Sequence, residues 1–321
     1  MDSRQLRYFA KVIETGNLTR AATALHVAQS AVSMHMRNLE QELGVALLLR
    51  SRAGVKPTAH GQLLFEHART ILRQFEQARQ DVVSLGMEPH GEVALGIPAT
   101  VAPVLVRPLL EHLHRRAPKV TPHIVEGMSG YLLEWLHSGR LDAAILFDSQ
   151  ELSGLHRTVL GVESMYLVGP PDAFAEGQAV TMSELSRYPL IIPGRMHGMN
   201  LLIRRAAGLA GVTLHIRVEV DSVAEMVSLV KGGYGYTVLA RMGFHRELEE
   251  NKVSVAHIES PQMERTLVSA TVESRPLTQG TVLLLEGMET ILRAFTDGQP
   301  ATHGSDGSEA RQATVHSRAT P

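Results

Sequence analysis

Leu6, Phe9, Ala10 and Ile13 recur at i, i+3, i+4 and i+7, the spacing of one helical face, and Gly16 with Asn17 supplies a stop and the next cap. A short second helix is predicted over 19–25, with Ala21, Ala22 and Leu25 facing inward. His26, Val27 and Ala28 connect it to a third helix, where Val32, Met36, Leu39 and Leu43 form the buried stripe and Gly44 stands just past the last turn. Two helices joined by so short a turn make a helix-turn-helix, whose second helix enters a DNA major groove N-terminus first. Gln29, Ser30, Ser33 and Arg37 are expected to point outward from it. The apolar run 45–49 then leads into Arg50, Ser51, Arg52, Ala53 and Gly54, followed by Val55, Lys56, Pro57 and Thr58. This reads as a small basic hairpin, a wing beside the recognition helix.

Thr58 opens a long helix expected to reach about residue 85. Along it Leu64, Ala68, Ile71, Phe75, Ala78, Val82 and Leu85 alternate steps of four and three, a heptad seam narrow enough to pair two helices. Dimerisation would place two recognition helices on one pseudo-palindrome. From Glu92 onward short apolar runs alternate with helical patterns: 93–97, 104–116, 121–125, 131–138 and 143–147, then 190–192, 199–211, 213–220, 223–230 and 236–239. That βαβ rhythm implies parallel sheets in two similar lobes with a cleft between them. The fold class is therefore α/β behind an all-α winged helix-turn-helix. Residues 1–58 form the DNA-binding domain, 59–86 the dimerising helix, 87–91 a hinge and 92–297 the two-lobed effector domain. Residues 298–321, polar and without an apolar period, read as a disordered tail.

Composition changes the picture in two respects. The net charge of −2 hides a basic N-terminus: residues 1–60 hold eight Lys and Arg against four Asp and Glu, a local charge of +4 that suits phosphate binding. Cysteine is absent, which excludes disulfides, thiolate metal sites and a cysteine nucleophile and fits a reducing compartment. No signal-peptide h-region is evident, and no apolar run approaches the roughly 20 residues a membrane-spanning helix needs, so a cytoplasmic protein with no membrane partner is expected.

Gln can bond adenine bidentately, Ser can meet base or phosphate, and Arg can meet guanine or phosphate, so the polar face of the third helix carries DNA-reading chemistry; the alternative is a solvated face. Arg50, Arg52 and Lys56 are candidates for phosphate or minor-groove contact, against ordinary hairpin charges. In open parallel sheets ligands gather at strand C-termini. Thr100, Ser129 and Gly130 stand at such positions, and for Thr100 and Ser129 helix capping is the equal alternative. Arg195 and His197, in a Gly-flanked loop, could grip an anion or be merely solvated.

Enzyme readings find little support. Sixteen His are scattered, with His112 and His114 two apart on a predicted helix, so no metal site is expected. Lys231-Gly232-Gly233-Tyr234-Gly235 lacks the Walker spacing, Glu249 and Glu250 have no evident partner, and no Gly-x-Ser-x-Gly elbow occurs. No cofactor is implied.

The stretch LTRAATALHVAQSAVSMHMRNLEQELGVALLLR followed by VKPTAHG strongly resembles the DNA-binding domain of LysR-type transcriptional regulators. The match rests on Ala21-Ala22, the start Gln29-Ser30-Ala31-Val32-Ser33, Leu39-Glu40, Leu43-Gly44, Thr58 and Gly61. EGMSGYLLEWLHSGRLDAAILFD and VKGGYGYTVLA resemble the effector-domain segments of that family, so the resemblance spans nearly 3–297. Leu-Leu-Glu-Trp and Pro-Gly-Arg-Met-His-Gly resemble its nitrogen-assimilation-control subgroup. The resemblance implies a transcription regulator that binds double-stranded DNA through Gln29, Ser30 and Ser33, as a homodimer or homotetramer. It also implies an effector domain like periplasmic binding proteins, with a cleft that includes Thr100 and Ser129 and is lined or backed by Tyr236 and Thr237. A neutral or anionic metabolite suits that cleft, and RNA polymerase is an expected partner. Met34 and His35 depart from the pattern, where an Arg or Gln pair is common; Met cannot donate a hydrogen bond, which puts one DNA contact in doubt. A second reading stays open: a constitutive or architectural DNA-binder whose α/β module only oligomerises.

Overall fold

In the computed structural model, which describes residues 1–51, 54–83, 88–148, 152–259 and 263–297, the N-terminal unit opens on a capping box. Asp2 accepts the Gln5 amide and the Gln5 side chain accepts the Asp2 amide, 2.8 Å each. This starts α1 (Ser3–Thr15), closed by left-handed Gly16. Asn17 caps α2 (Leu18–Ala24), and α3 (Gln29–Leu43) ends on left-handed Gly44. Phe9, Val12, Ala21, Ala22, Val32, Met36 and Leu39 pack together as the core of the three helices. The wing is a two-stranded antiparallel ribbon, β1 (Leu48–Ser51) and β2 (Gly54–Pro57); Arg52 at its tip lies outside the described residues. Glu40 anchors its base, one carboxylate oxygen accepting the amides of Leu47 and Leu48 at 2.8 and 3.1 Å. Gly54 sits so close to α1 that a Cβ there would lie 2.6 Å from the Gly16 carbonyl oxygen.

Thr58 caps α4 (Ala59–Val83), accepting the Gly61 amide at 2.9 Å while its hydroxyl donates to the Ala46 carbonyl at 2.8 Å. The expected heptad seam divides. Leu64 packs on the helix-turn-helix core and Ala68 is fully buried, because α4 runs against α1; Ile71 is half-buried, and Phe75, Ala78 and Val82 are exposed. The first two seam positions therefore serve the chain's own fold, a correction to the pairing stripe read from the sequence. Leu85 falls outside the described residues.

Lobe I begins with β3 (His90–Ile97), α5 (Ala102–Arg116), β4 (Lys119–Glu126), α6 (Ser129–His137) and β5 (Ala143–Phe147), with β3 parallel to both β4 and β5. His90 and Gly91 already pair with β4, so the last two positions of the expected hinge belong to the sheet. The chain continues through β6 (Leu155–Gly169), β7 (Ala179–Thr181), β8 (Leu190–Ile192), α7 (Gly198–Leu209), β9 (Ile216–Glu219), α8 (Val223–Lys231), β10 (Thr237–Ala240), α9 (His245–Glu249) and β11 (Ser254–Glu259) of lobe II. It returns to lobe I in β12 (Glu264–Val272) and α10 (Gln279–Asp297).

The fifteen-residue β6 belongs to both lobes. Its first part pairs antiparallel with β12, its second with β10 and β11. Parallel sheets were the expectation; the sheets are mixed, since β6, β10, β11 and β12 supply antiparallel pairings beside the βαβ units. In lobe I, Leu95, Ile145 and Leu267 face α5 and α10, whereas Ala94, Leu146 and Val268 face α6, the period-two alternation of a sheet covered on both sides. Lobe II repeats the plan with α7 on one face and α8 on the other.

Candidate nucleic-acid interface and effector cleft

Gln29, Ser30 and Arg37 are exposed on α3, as are Arg50 and Lys56 on the wing. Ala28 offers no side-chain cap, so nothing from that residue covers the opening turn of α3. Ser33 does not point outward as expected. It is 8% exposed, beside Val32 and Met36 on the packed side of the helix, and its hydroxyl accepts a 2.9 Å hydrogen bond from Gln29 Nε2. Arg37 Nε reaches back to the Ser33 carbonyl at 3.4 Å. Of the two departures from the family pattern, Met34 is exposed, and His35 packs edge-on against Tyr8 with ring centroids 5.0 Å apart.

In the effector domain Thr100 follows β3 and is buried. It does not cap α5: the capping position is Val101, without a side-chain hydrogen bond. Its hydroxyl instead accepts from Arg265 Nη2 at 3.2 Å. Gly243 of lobe II comes so near that a Cβ there would lie 3.3 Å from the Thr100 methyl, so Thr100 stands where the lobes meet. Arg265 leaves β12 directly across from Glu163 on β6, and the two form a buried ion pair with Nε–Oε2 of 2.8 Å. The guanidinium lies 3.6 Å over the Phe147 ring. Burial pushes the Arg265 pKa down and the Glu163 carboxylate opposes this. Glu163 Oε1 is buried with no hydrogen-bond partner.

The other expected cleft residues differ in exposure and in partners. Ser129 is the first residue of α6, half-buried, while Met128 holds the capping position without a side-chain bond; Gly130 is exposed. His197 caps α7, its Nδ1 accepting the Met199 amide at 3.1 Å, which requires that nitrogen to be unprotonated. Desolvation, then the Arg265 charge, lowers the His197 pKa, against a smaller opposing pull from Asp221. The 193–198 loop is held by Asp221, which accepts the Gly194 amide at 2.8 Å, and by buried Asn200, which donates to the Pro193 carbonyl at 2.6 Å. Arg195 is 80% exposed and only approaches Glu219, at 4.0 Å. Tyr236 is held in an aromatic cluster with Phe174 and Tyr188, and Thr237 is fully buried with its hydroxyl 3.8 Å from Met226 Sδ. Thr237 lies inside the core of lobe II, and half-buried Tyr236 packs against that core.

Sequence reasoning missed Arg265, Glu163 and Phe147. Arg265 and Glu163 are 102 residues apart, and Arg265 and Thr100 are 165 apart, so no local spacing announced them. Among the described residues no group of three His, Asp or Glu is placed to hold a metal, and no helix is long and apolar enough to cross a membrane.

Two family models match the chain: the bacterial regulatory helix-turn-helix protein of the lysR family over residues 3–62, and the LysR substrate binding domain over 86–289. The nitrogen assimilation regulatory protein nac of Klebsiella aerogenes is 33% identical over 268 residues, covering 83% of this chain and 87% of that protein. A full-length OxyR variant from Pseudomonas aeruginosa superposes with a TM-score of 0.68 at 25% identity, over 91% of this chain and 98% of its own. CbnR complexed with its target DNA shares the fold, with a TM-score of 0.69 at 21% identity over 91% and 100% of the two chains. The chain thus belongs to the LysR family, as a DNA-binding transcription regulator with an effector-binding domain and not an enzyme.

Proposed function

We propose that α3 reads base edges through Gln29 and Ser30, with Arg37, Arg50, Arg52 and Lys56 on phosphates or the minor groove and Ser33 holding Gln29 in position. The supporting features are the exposed polar face of α3 and the Gln29–Ser33 hydrogen bond. Ile71, Phe75, Ala78 and Val82, left exposed or half-exposed on α4, pair the chains into dimers or tetramers in the cytoplasm, and the DNA-bound assembly acts on RNA polymerase.

The effector is a small anionic metabolite held between the lobes, near Thr100, Ser129 and His197. The observation that carries this reading is Arg265, a buried guanidinium that touches β6 through Glu163 and the lobe junction through Thr100. An anion sharing Arg265 redistributes that guanidinium between its two partners, so it binds the open and closed lobes with different affinity, which is what a switch requires. The Arg73–Asp142 ion pair, 2.9 Å between α4 and lobe I, supplies a route to the DNA-binding half. Redox sensing through a thiol is closed to this chain, which has no cysteine.

The testing experiment is binding of the purified protein to its own upstream DNA and to scrambled DNA at two salt concentrations, with Gln29→Ala/Arg37→Ala as the comparison. A specific complex lost in the variant is expected. Equal weak binding to both DNAs, unchanged by the substitutions, sinks the recognition surface. For the cleft, organic acids should raise the unfolding temperature of the protein more than their amides do; no difference between acid and amide removes the anionic reading.

A further inference from the structure

A cavity of about 330 Å³ lies between the linker helix and lobe I, apart from both the α3 face and the inter-lobe cleft. Arg73 and Gln74 of α4 line one wall; Asp142, Val272, Arg275 and Thr281 line the other, and most of the surface is apolar. Two guanidiniums here share one carboxylate, and its hydrogen bonds go to Arg73 and the main chain rather than to Arg275. Asp142 Oδ2 accepts Arg73 Nη1 at 2.9 Å and the Ala94 amide at 2.7 Å. Arg275 is left with main-chain partners, donating to the carbonyls of Leu136 and Leu141 at 3.5 and 3.3 Å, and it forms no ion pair among the described residues. Burial, and then the neighbouring Arg73 charge, push its pKa down against an opposing pull from Asp142, which Arg275 shares with Arg73 without bonding to it.

A guanidinium in need of an anion, beside an apolar hollow of this size, is the chemistry that recognises a carboxylate attached to an apolar body. We propose that this cavity binds a small organic carboxylate, with its charged end on Arg275 and its apolar part against α4. The site is separate from the cleft and does not depend on it. Because its walls come from two units, a ligand there gains its full set of contacts only while α4 stays docked on lobe I, so occupancy favours the docked arrangement. The chain thereby has a second input that acts on the linker helix directly.

The test is calorimetric titration of the full-length protein with phenylacetate and hexanoate, against phenylacetamide and hexanamide as uncharged isosteres. Saturable binding of at least one acid is expected, weaker by about tenfold or more for its amide and in Arg275→Gln. Ser274→Trp, which puts a large ring at an exposed position on the cavity wall while leaving both arginines in place, should abolish it. No saturable binding of either acid up to about 10 mM overturns the proposal. So does binding that persists undiminished in either variant; that outcome puts the acid on Arg265 and leaves the cleft reading standing.

Discussion

Gln29, Ser30 and Arg37 stand exposed on a single helix, whereas Thr100, Glu163 and Arg265 are buried and come together from three separate strands or strand ends. On the proposed DNA face the core is built by other residues, Val32, Met36 and Leu39, and the candidate reading groups are carried on its outer side. In the proposed cleft the same atoms bind one another, join β6 to β12 and meet the other lobe. A site of the first kind can lose a side chain and keep its fold. In a site of the second kind, every functional substitution is also a structural one.

The sharpest way to break that contrast is Glu163→Leu, which leaves Arg265 buried without its partner. The expected loss is about 3–5 kcal/mol of stability, read as a lower denaturation midpoint, and Glu163→Leu/Arg265→Met should recover most of it because no lone charge remains. A single variant as stable as the wild type would mean that the cleft is as free of structural duty as the DNA face. Next in size, Gln29→Ala should weaken specific DNA binding by about 1–3 kcal/mol while moving folding stability by no more than about 0.5 kcal/mol. Gel-shift titration and thermal denaturation on one preparation give both numbers.

Glu40→Ala probes the boundary between the two kinds of site. Its carboxylate touches no expected DNA contact but fixes the Leu47 and Leu48 amides at the base of the wing. A stability loss of about 1–2 kcal/mol should be accompanied by weaker DNA binding through the displaced hairpin. Unchanged binding would show that the wing contributes nothing. The smallest effect concerns His197, whose pKa is lowered in the folded protein from its ordinary 6.5. Below pH 6.5 the unfolded chain takes up that proton more readily than the folded one, so stability should fall as the pH drops through and below 6.5. His197→Gln should flatten that part of the stability curve, as measured by denaturant titration across pH; an unchanged slope would assign the pH dependence to other groups.

The DNA-binding half was legible in the sequence because its signals are local. Helix stripes, the glycines at positions 16 and 44, and the Thr58 cap each act within a few residues. Ser33 was misread there because a packed helix buries a stripe wider than its hydrophobic letters, and Ser33 falls between Val32 and Met36. The βαβ units of both lobes were also visible. The strands that join the lobes were not. In β6 the pairing with β12 slips by one residue at Leu160, between Gly161 and Val159, so a period of two is interrupted mid-strand. Since Glu163 and Arg265 lie on that pair of strands, losing the strands meant losing the ion pair at the centre of the proposed cleft. Thr237 shows a different limit: a family segment placed it as lining or backing the cleft, and only its packing against Met226 shows which way its side chain turns.

Lobe I is written in two instalments. Leu95, Leu105, Leu109 and Ile145 are made early, but Leu267, Leu284, Met288 and Leu292, which complete the same core, follow only after all of lobe II. On the ribosome the helix-turn-helix can therefore fold first and lobe II can assemble around the far end of β6, while lobe I waits with an open apolar face. A chain cut short before α10 is not a regulator with a trimmed end; it is a DNA-binding domain tethered to an unfinished, aggregation-prone core. The order in which the polypeptide is threaded thus acts as a check on assembly, because lobe I closes only once α10 has followed all of lobe II.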